Sequence, residues 1–228
     1  MDNTEEIDSK EELIKRIANR GLREYFNLTG NLVTDKISCG MFGCVYNTTV
    51  RKDIVVKVTK DKSEAIVISN KLLNKDNKYI VKYYYVAKIT LGDQATYIQG
   101  IENPMYCIIM EKVLTNSDIS KDVYQTSCLS LRVKSIIKEK DLKKKRSKLT
   151  ELLNFSLKYF KTVKTKSGII KYITSYHKAK AELDQLNIKH IDFHQRNVGL
   201  KNGNFILFDI MEEYSKDNNN LSCPNFTL

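Results

Sequence analysis

The stretch Lys36–Thr59, KISCGMFGCVYNTTVRKDIVVKVT, decides how the rest of the chain is read. It holds two β-prone runs separated by polar residues, and Gly40 and Gly43 interrupt the first. Valine, isoleucine, threonine and tyrosine suit a pleated, half-buried surface, and paired glycines mark a turn. Taken alone, the Gly-Met-Phe-Gly segment has two readings. It is a plain hairpin turn, or it is a loop whose backbone N–H groups approach phosphates closely because no Cβ intrudes. Lys57, set between valines, also has two. It is an amphipathic-strand residue with its tip in water, or a cation reaching the α- and β-phosphates of a nucleotide.

On the N-terminal side, residues 1–9 read as a polar tail. Leu13, Ile14, Ile17, Leu22 and Phe26 then recur at helical spacing, with acids early and bases late as a helix dipole prefers. On the C-terminal side, a helix is expected from Ser63 to Leu73 with Glu64 in its first turn. Two more strands are expected over Lys78–Ile89 and Met105–Val113. After Val113 helical periodicity takes over for about eighty residues. Leu149, Leu152, Leu153, Phe160 and Val163 mark one amphipathic helix; Ile169, Ile173, Tyr176, Leu183 and Leu186 mark another. A strand-turn-strand around Lys201-Asn202-Gly203 closes the folded part, preceded by HIDFHQRN at 190–197.

Bulk properties narrow the function. The 228 residues can bury a sizeable core, and no run approaches eighteen apolar residues, so no membrane-spanning helix is expected. The start, MDNTEEIDSKEEL, is acidic where a signal peptide would be basic and then apolar. Cysteines 39, 44, 107, 128 and 223 include no C-x-x-C pair, and free thiols in a reducing cytoplasm are expected. A net charge of +11 points to an acidic partner, though lysine supplies most of it and lysine lacks the bidentate fork of arginine. The lysine-rich run 134–148 reads as a solvated helical face, or as a surface for an acidic protein or nucleic acid.

The order of these features is more telling than any one of them. A glycine loop, a strand lysine, the helix-borne Glu64, a β-to-α switch, H-x-D-x-x-x-x-N and a strand ending in Asp209 follow one another. Over residues 33–213 this resembles the protein-kinase-like superfamily. Its glycine loop appears as Ser38-Cys39-Gly40-Met41-Phe42-Gly43-Cys44-Val45, without the first glycine, and its strand lysine as Val55-Val56-Lys57. Its catalytic loop appears as His190-Ile191-Asp192 through Asn197, and its metal-binding triplet as Asp209-Ile210-Met211.

The resemblance implies an α+β, bilobal protein-kinase-like fold with a β-rich N-lobe and a truncated, mainly helical C-lobe. The corresponding segments are a tail and helix at 1–32, an N-lobe at 33–113 and a reduced C-lobe at 114–228. It implies ATP and Mg²⁺ as cofactors. Ser38, Gly40, Gly43 and Val45 would border the phosphates, and Lys57, paired with Glu64, would hold them. Met110, Glu111 and Val113 would meet the adenine, Asn197 and Asp209 would hold Mg²⁺, and Asp192 would orient the attacking hydroxyl. Phosphoryl transfer asks mainly for charge neutralisation and in-line positioning, and hard Mg²⁺ takes carboxylate and amide oxygens.

Three departures shape the expected substrate. Ile191 replaces the usual arginine, His194 is similar to the loop of aminoglycoside phosphotransferases, and only nineteen residues follow Asp209. The chain therefore resembles a minimal, viral kinase-like protein, with the cytoplasm (the host's, for a viral chain) as its expected location. His194 would lie near the γ-phosphate, and His190 would pack in the loop; a zinc site built on the two is disfavoured. The expected activity is Ser/Thr protein kinase, with an acidic or hydroxyl-bearing protein as partner. Small-molecule kinase, non-catalytic kinase-like module and, less favoured, nucleic-acid-binding protein are the alternatives.

Overall fold

The structure, a computed structural model, describes residues 10–91, 104–188 and 197–210. The chain divides into two units, Met1–Asn77 with Val81–Lys112, and Lys78–Ile80 with Val113–Leu228. The described residues combine an antiparallel sheet with helices, a mixed α/β composition compatible with the α+β class.

The first unit is built on five antiparallel strands in the order β1-β2-β3-β5-β4. They are β1 (Val33–Cys39), β2 (Gly43–Thr48), β3 (Ile54–Thr59), β4 (Tyr83–Ile89) and β5 (Met105–Glu111). Helix α1 (Lys10–Phe26) lays Leu13, Ile14, Ile17, Ala18 and Leu22 into one core with Ile54, Val56, Val58, Cys107 and Ile109. Side chains alternate across a strand, so Val55, Lys57 and Thr59 face the other way. β3 is buried throughout and β5 nearly so. Gly21 lets α1 approach the sheet: a Cβ there would stand 2.1 Å from the Cys107 sulfur. Asn19 fixes the entry to β1 by accepting the Leu32 and Val33 N–H groups at 2.7 and 3.1 Å.

Two expected elements are shorter than their patterns. The helix expected over Ser63–Leu73 is α-helical only in α2 (Lys62–Val67), capped by the Asp61 carboxylate, and continues as a π-turn over Ile68–Leu72. The strand expected over Lys78–Ile89 is cut at its start. Residues 78–80 leave the first unit, and β4 begins at Tyr83.

The second unit contains α3 (Ser117–Ile137), α4 (Leu142–Ser156), α5 (Lys166–Gln185) and a hairpin of β6 (Val198–Lys201) and β7 (Asn204–Leu207). The helix expected to run through Phe160 and Val163 stops at Ser156. The buried Asp122 carboxylate accepts the Lys161 and Thr162 N–H groups, at 2.6 and 2.7 Å, which gives that backbone a non-helical partner. Phe160 is buried all the same, 6.3 Å from the Tyr172 ring. The lysine-rich run 134–148 is also divided, since α3 ends at Ile137 and Asp141 caps α4 through the Lys143 and Lys144 N–H groups.

The hairpin turns at Asn202 and Gly203, with φ of 52° and 70°. Two consecutive residues at positive φ match the right-handed strand twist, which is why Asn-Gly suits this turn. Leu114 pairs with Leu200 on one edge and Ile80 with Leu207 on the other. Glu182 of α5 holds the second edge by accepting the Lys78 and Tyr79 N–H groups at 2.9 and 2.8 Å.

Candidate phosphate- and metal-binding residues

Lys57 lies at the centre of β3, opposite Val45 of β2 and Ile108 of β5. Its side chain emerges on the face away from α1, and its Nζ meets Glu64 Oε1 of α2 at 2.7 Å. The two side chains are 7% and 1% exposed, so the pair is almost wholly out of water. Taking two charges out of water costs several kcal/mol per ion, and their attraction offsets this only at close, hydrogen-bonded geometry. Asp61, accepting from Ser63 and Glu64 N–H, sets where α2 starts and hence where Glu64 points.

The glycine loop joins β1 to β2. Its two glycines differ in what they do. A Cβ on Gly43 would fall 2.0 Å from the Val58 carbonyl oxygen, so this glycine is required by the packing of β2 on β3. A Cβ on Gly40 meets nothing within 4 Å. The Gly40 N–H donates to the Gly43 carbonyl at 2.8 Å, and the Phe42 carbonyl accepts from the Lys60 N–H at 2.8 Å and from the Thr59 hydroxyl. Met41 at the tip is 82% exposed. Ser38, exposed at the end of β1, pairs with Val45 of β2.

One expectation is overturned at this loop. Cys39 and Cys44 are not free thiols but a disulfide, joining residues that are direct partners across the β1–β2 pair. Spacing rules written for C-x-x-C motifs pass over a pair five residues apart, yet in a hairpin that spacing places the two side chains face to face. The near-symmetric C-G-x-x-G-C run was the available signal. Cys107 and Cys128 are buried thiols outside any disulfide, and Cys223 lies outside the described residues.

Met110 is buried near the end of β5, paired with Val55 and Tyr83. The Glu111 N–H donates to the Lys82 carbonyl at 2.8 Å. Val113 opens the second unit, where Gly199 of β6 comes so near that an added Cβ would sit 2.6 Å from its Cγ2.

In the second unit Asn197 and Asp209 flank the open end of the β6–β7 hairpin. Val198 pairs with Leu207, and one step further out the Phe208 N–H donates to the Asn197 carbonyl at 3.0 Å. Asn197 is buried at 4% exposure, whereas Asp209 is half-buried. Asp209 stands in the left-handed region at φ 57°, a conformation that costs non-glycine residues about 1 kcal/mol, least for Asp and Asn. An amide and a carboxylate at one hairpin end form a hard oxygen donor set, which fits Mg²⁺ in chemistry. His190, Asp192 and His194 lie outside the described residues.

No helix among the described residues is long and apolar enough to cross a membrane. Compared with protein-family models and with curated proteins, the chain matches none.

Proposed function

We propose that the chain is an ATP- and Mg²⁺-dependent phosphotransferase of the protein-kinase-like kind, transferring the γ-phosphate to a Ser/Thr hydroxyl of a protein. The observation that carries this reading is the buried Lys57–Glu64 pair, 2.7 Å apart between the central β3 and α2. A buried ion pair is a poor stabiliser compared with apolar residues of the same volume. Its place on a fully buried central strand is accounted for if Glu64 orients the lysine cation toward a phosphate group. The second unit supports the reading through Asn197 and Asp209, two oxygen ligands suited to Mg²⁺ at one end of a hairpin.

In this assignment Lys57 binds the α/β-phosphates, Gly40 puts no Cβ in the way of their approach, and Asn197 and Asp209 hold the metal that neutralises their charge. Asp192 orients the acceptor hydroxyl. A protein acceptor is favoured because Lys143, Lys144, Arg146 and Lys148 stand exposed on α4, a surface suited to acidic segments.

The test is transfer of radiolabelled γ-phosphate from ATP to protein substrates and to the chain itself, read beside ATP-induced thermal stabilisation. At a hundred times its Kd the nucleotide should stabilise by about 2.7 kcal/mol. Asp192→Asn should abolish labelling and keep this stabilisation; Asp209→Asn should remove its Mg²⁺-dependent part. ATP turnover without protein labelling would move the acceptor to a small molecule. Absence of any stabilisation by ATP and Mg²⁺ would overturn the enzyme reading.

A further inference from the structure

The Cys39–Cys44 disulfide closes the two arms of the very loop that the phosphotransferase reading assigns to phosphate. Four residues, Gly40 to Gly43, lie inside the ring it forms. Inside that ring the Gly40 N–H is spent on the Gly43 carbonyl, and the Phe42 carbonyl is tied to Lys60 and Thr59 of the neighbouring strand end. A backbone N–H already donating within the loop is not offered to a phosphate, and the covalent bridge keeps the arms from separating. We propose that this disulfide is a redox gate on nucleotide binding. In the oxidised form the loop is clamped shut on itself, and in the reduced dithiol form it opens and presents its N–H groups to phosphate. The gate rests on the phosphotransferase reading, whereas the clamp does not.

Exposure assigns the chemistry to one sulfur. Cys39 is exposed and Cys44 is buried at 8% exposure, so an incoming thiolate reaches the Cys39 sulfur. The reductant is a cellular dithiol. One of its thiolates attacks Cys39 Sγ, the Sγ–Sγ bond breaks, and Cys44 leaves as a thiolate that takes up a proton. The second thiol of the reductant then resolves the mixed disulfide and releases Cys39 as a thiol. The protein disulfide gains two electrons and two protons, and the reductant departs as its own disulfide. Burial pushes the Cys107 thiol up to about 12, so this cysteine supplies no thiolate to scramble the bridge.

The experiment prepares the chain oxidised, reduced with dithiothreitol, and as Cys39→Ser, with thiol labelling to establish each state. Amide exchange of residues 40–43 and Kd for ATP with Mg²⁺ are measured on all three. Reduction should speed exchange in the loop and lower Kd by on the order of tenfold, the usual size of a coupling between two sites. Cys39→Ser should match the reduced chain and ignore dithiothreitol. Equal Kd in the oxidised and reduced chains overturns the gate, as does a Cys39→Ser chain that still responds to reductant. Faster loop exchange with no ATP binding in any state leaves the clamp standing and removes the phosphotransferase reading, and the gate with it.

Discussion

In the first unit Lys57 is held by its surroundings: two neighbouring strands, a helix-borne carboxylate and almost no water. In the second unit Asp209 sits in a left-handed turn beyond a four-residue strand, with its side chain half-buried. The two arrangements carry different risks. A cation buried against a carboxylate cannot be changed without disturbing a buried charge, so its substitution reports on folding as much as on chemistry. A half-buried carboxylate can be neutralised with less structural consequence. For that reason the Asp209 variant tests function more cleanly than any variant of Lys57.

The largest effect expected from this contrast is at Lys57. Lys57→Met removes the cation that meets the buried Glu64 carboxylate and should destabilise the chain by about 3–5 kcal/mol in urea denaturation. Adding Glu64→Leu should restore most of that loss. If the double variant stays as unstable as the single one, the buried Glu64 charge is not the source of the loss.

Next come the two loop glycines. Gly43→Ala should cost about 1–3 kcal/mol, because the methyl group meets the Val58 carbonyl. Gly40→Ala, in open space, should stay within about 0.5 kcal/mol of the parent. Similar melting temperatures for the two variants would show that the loop, unlike β3, tolerates bulk everywhere.

In the second unit, His177 Nε2 lies 2.7 Å from the Ser130 hydroxyl. Burial, then Lys134 and Lys180, hold its pKa below the ordinary value of 6.5. The unfolded chain therefore binds this proton more readily than the folded one. The stability linked to neutral His177 is fully present above pH 6.5 and is lost as pH falls below it. Melting temperature measured from pH 8 to pH 5 should decline less in His177→Gln than in the parent. Parallel curves would exclude His177 as a contributor.

An effect of the opposite sign is expected in the first core. Tyr46 is fully buried beneath α1, its hydroxyl has no hydrogen-bond partner among the described residues, and burial raises its pKa to about 12. Tyr46→Phe should leave stability unchanged or raise it by up to about 1 kcal/mol, since the desolvated hydroxyl is removed with its cost. A clear loss of stability would mean the hydroxyl is satisfied.

Patterns with a strict period were legible from the residues. The amphipathic face of α1, the strands around Lys57 and the Asn-Gly turn each depend on neighbours in sequence, and each stands where its period puts it. The resemblance to the protein-kinase-like superfamily implied that Lys57 and Glu64 pair; the contact itself rests on α2 being capped by Asp61 in the right register. Elements that end for non-local reasons were not legible. The helix expected to reach Val163 stops at Ser156, and Asp122, roughly forty residues away, claims the Lys161 and Thr162 N–H groups that a longer helix would use. The strand expected from Lys78 starts late because Glu182 and Leu207 claim residues 78–80.

By itself, the sequence determined the alternation of hydrophobic side chains, the turn chemistry and the order of the candidate residues, all of which follow from local stereochemistry and the two repeat lengths of the backbone. Only the tertiary structure decided that Lys57 and Glu64 share a dry contact, that Gly43 is a packing glycine and Gly40 is not, and that Cys39 faces Cys44. The reason is common to all three. Each depends on the distance between atoms of separate segments, and that distance is fixed by strand register and helix placement, not by spacing along the chain.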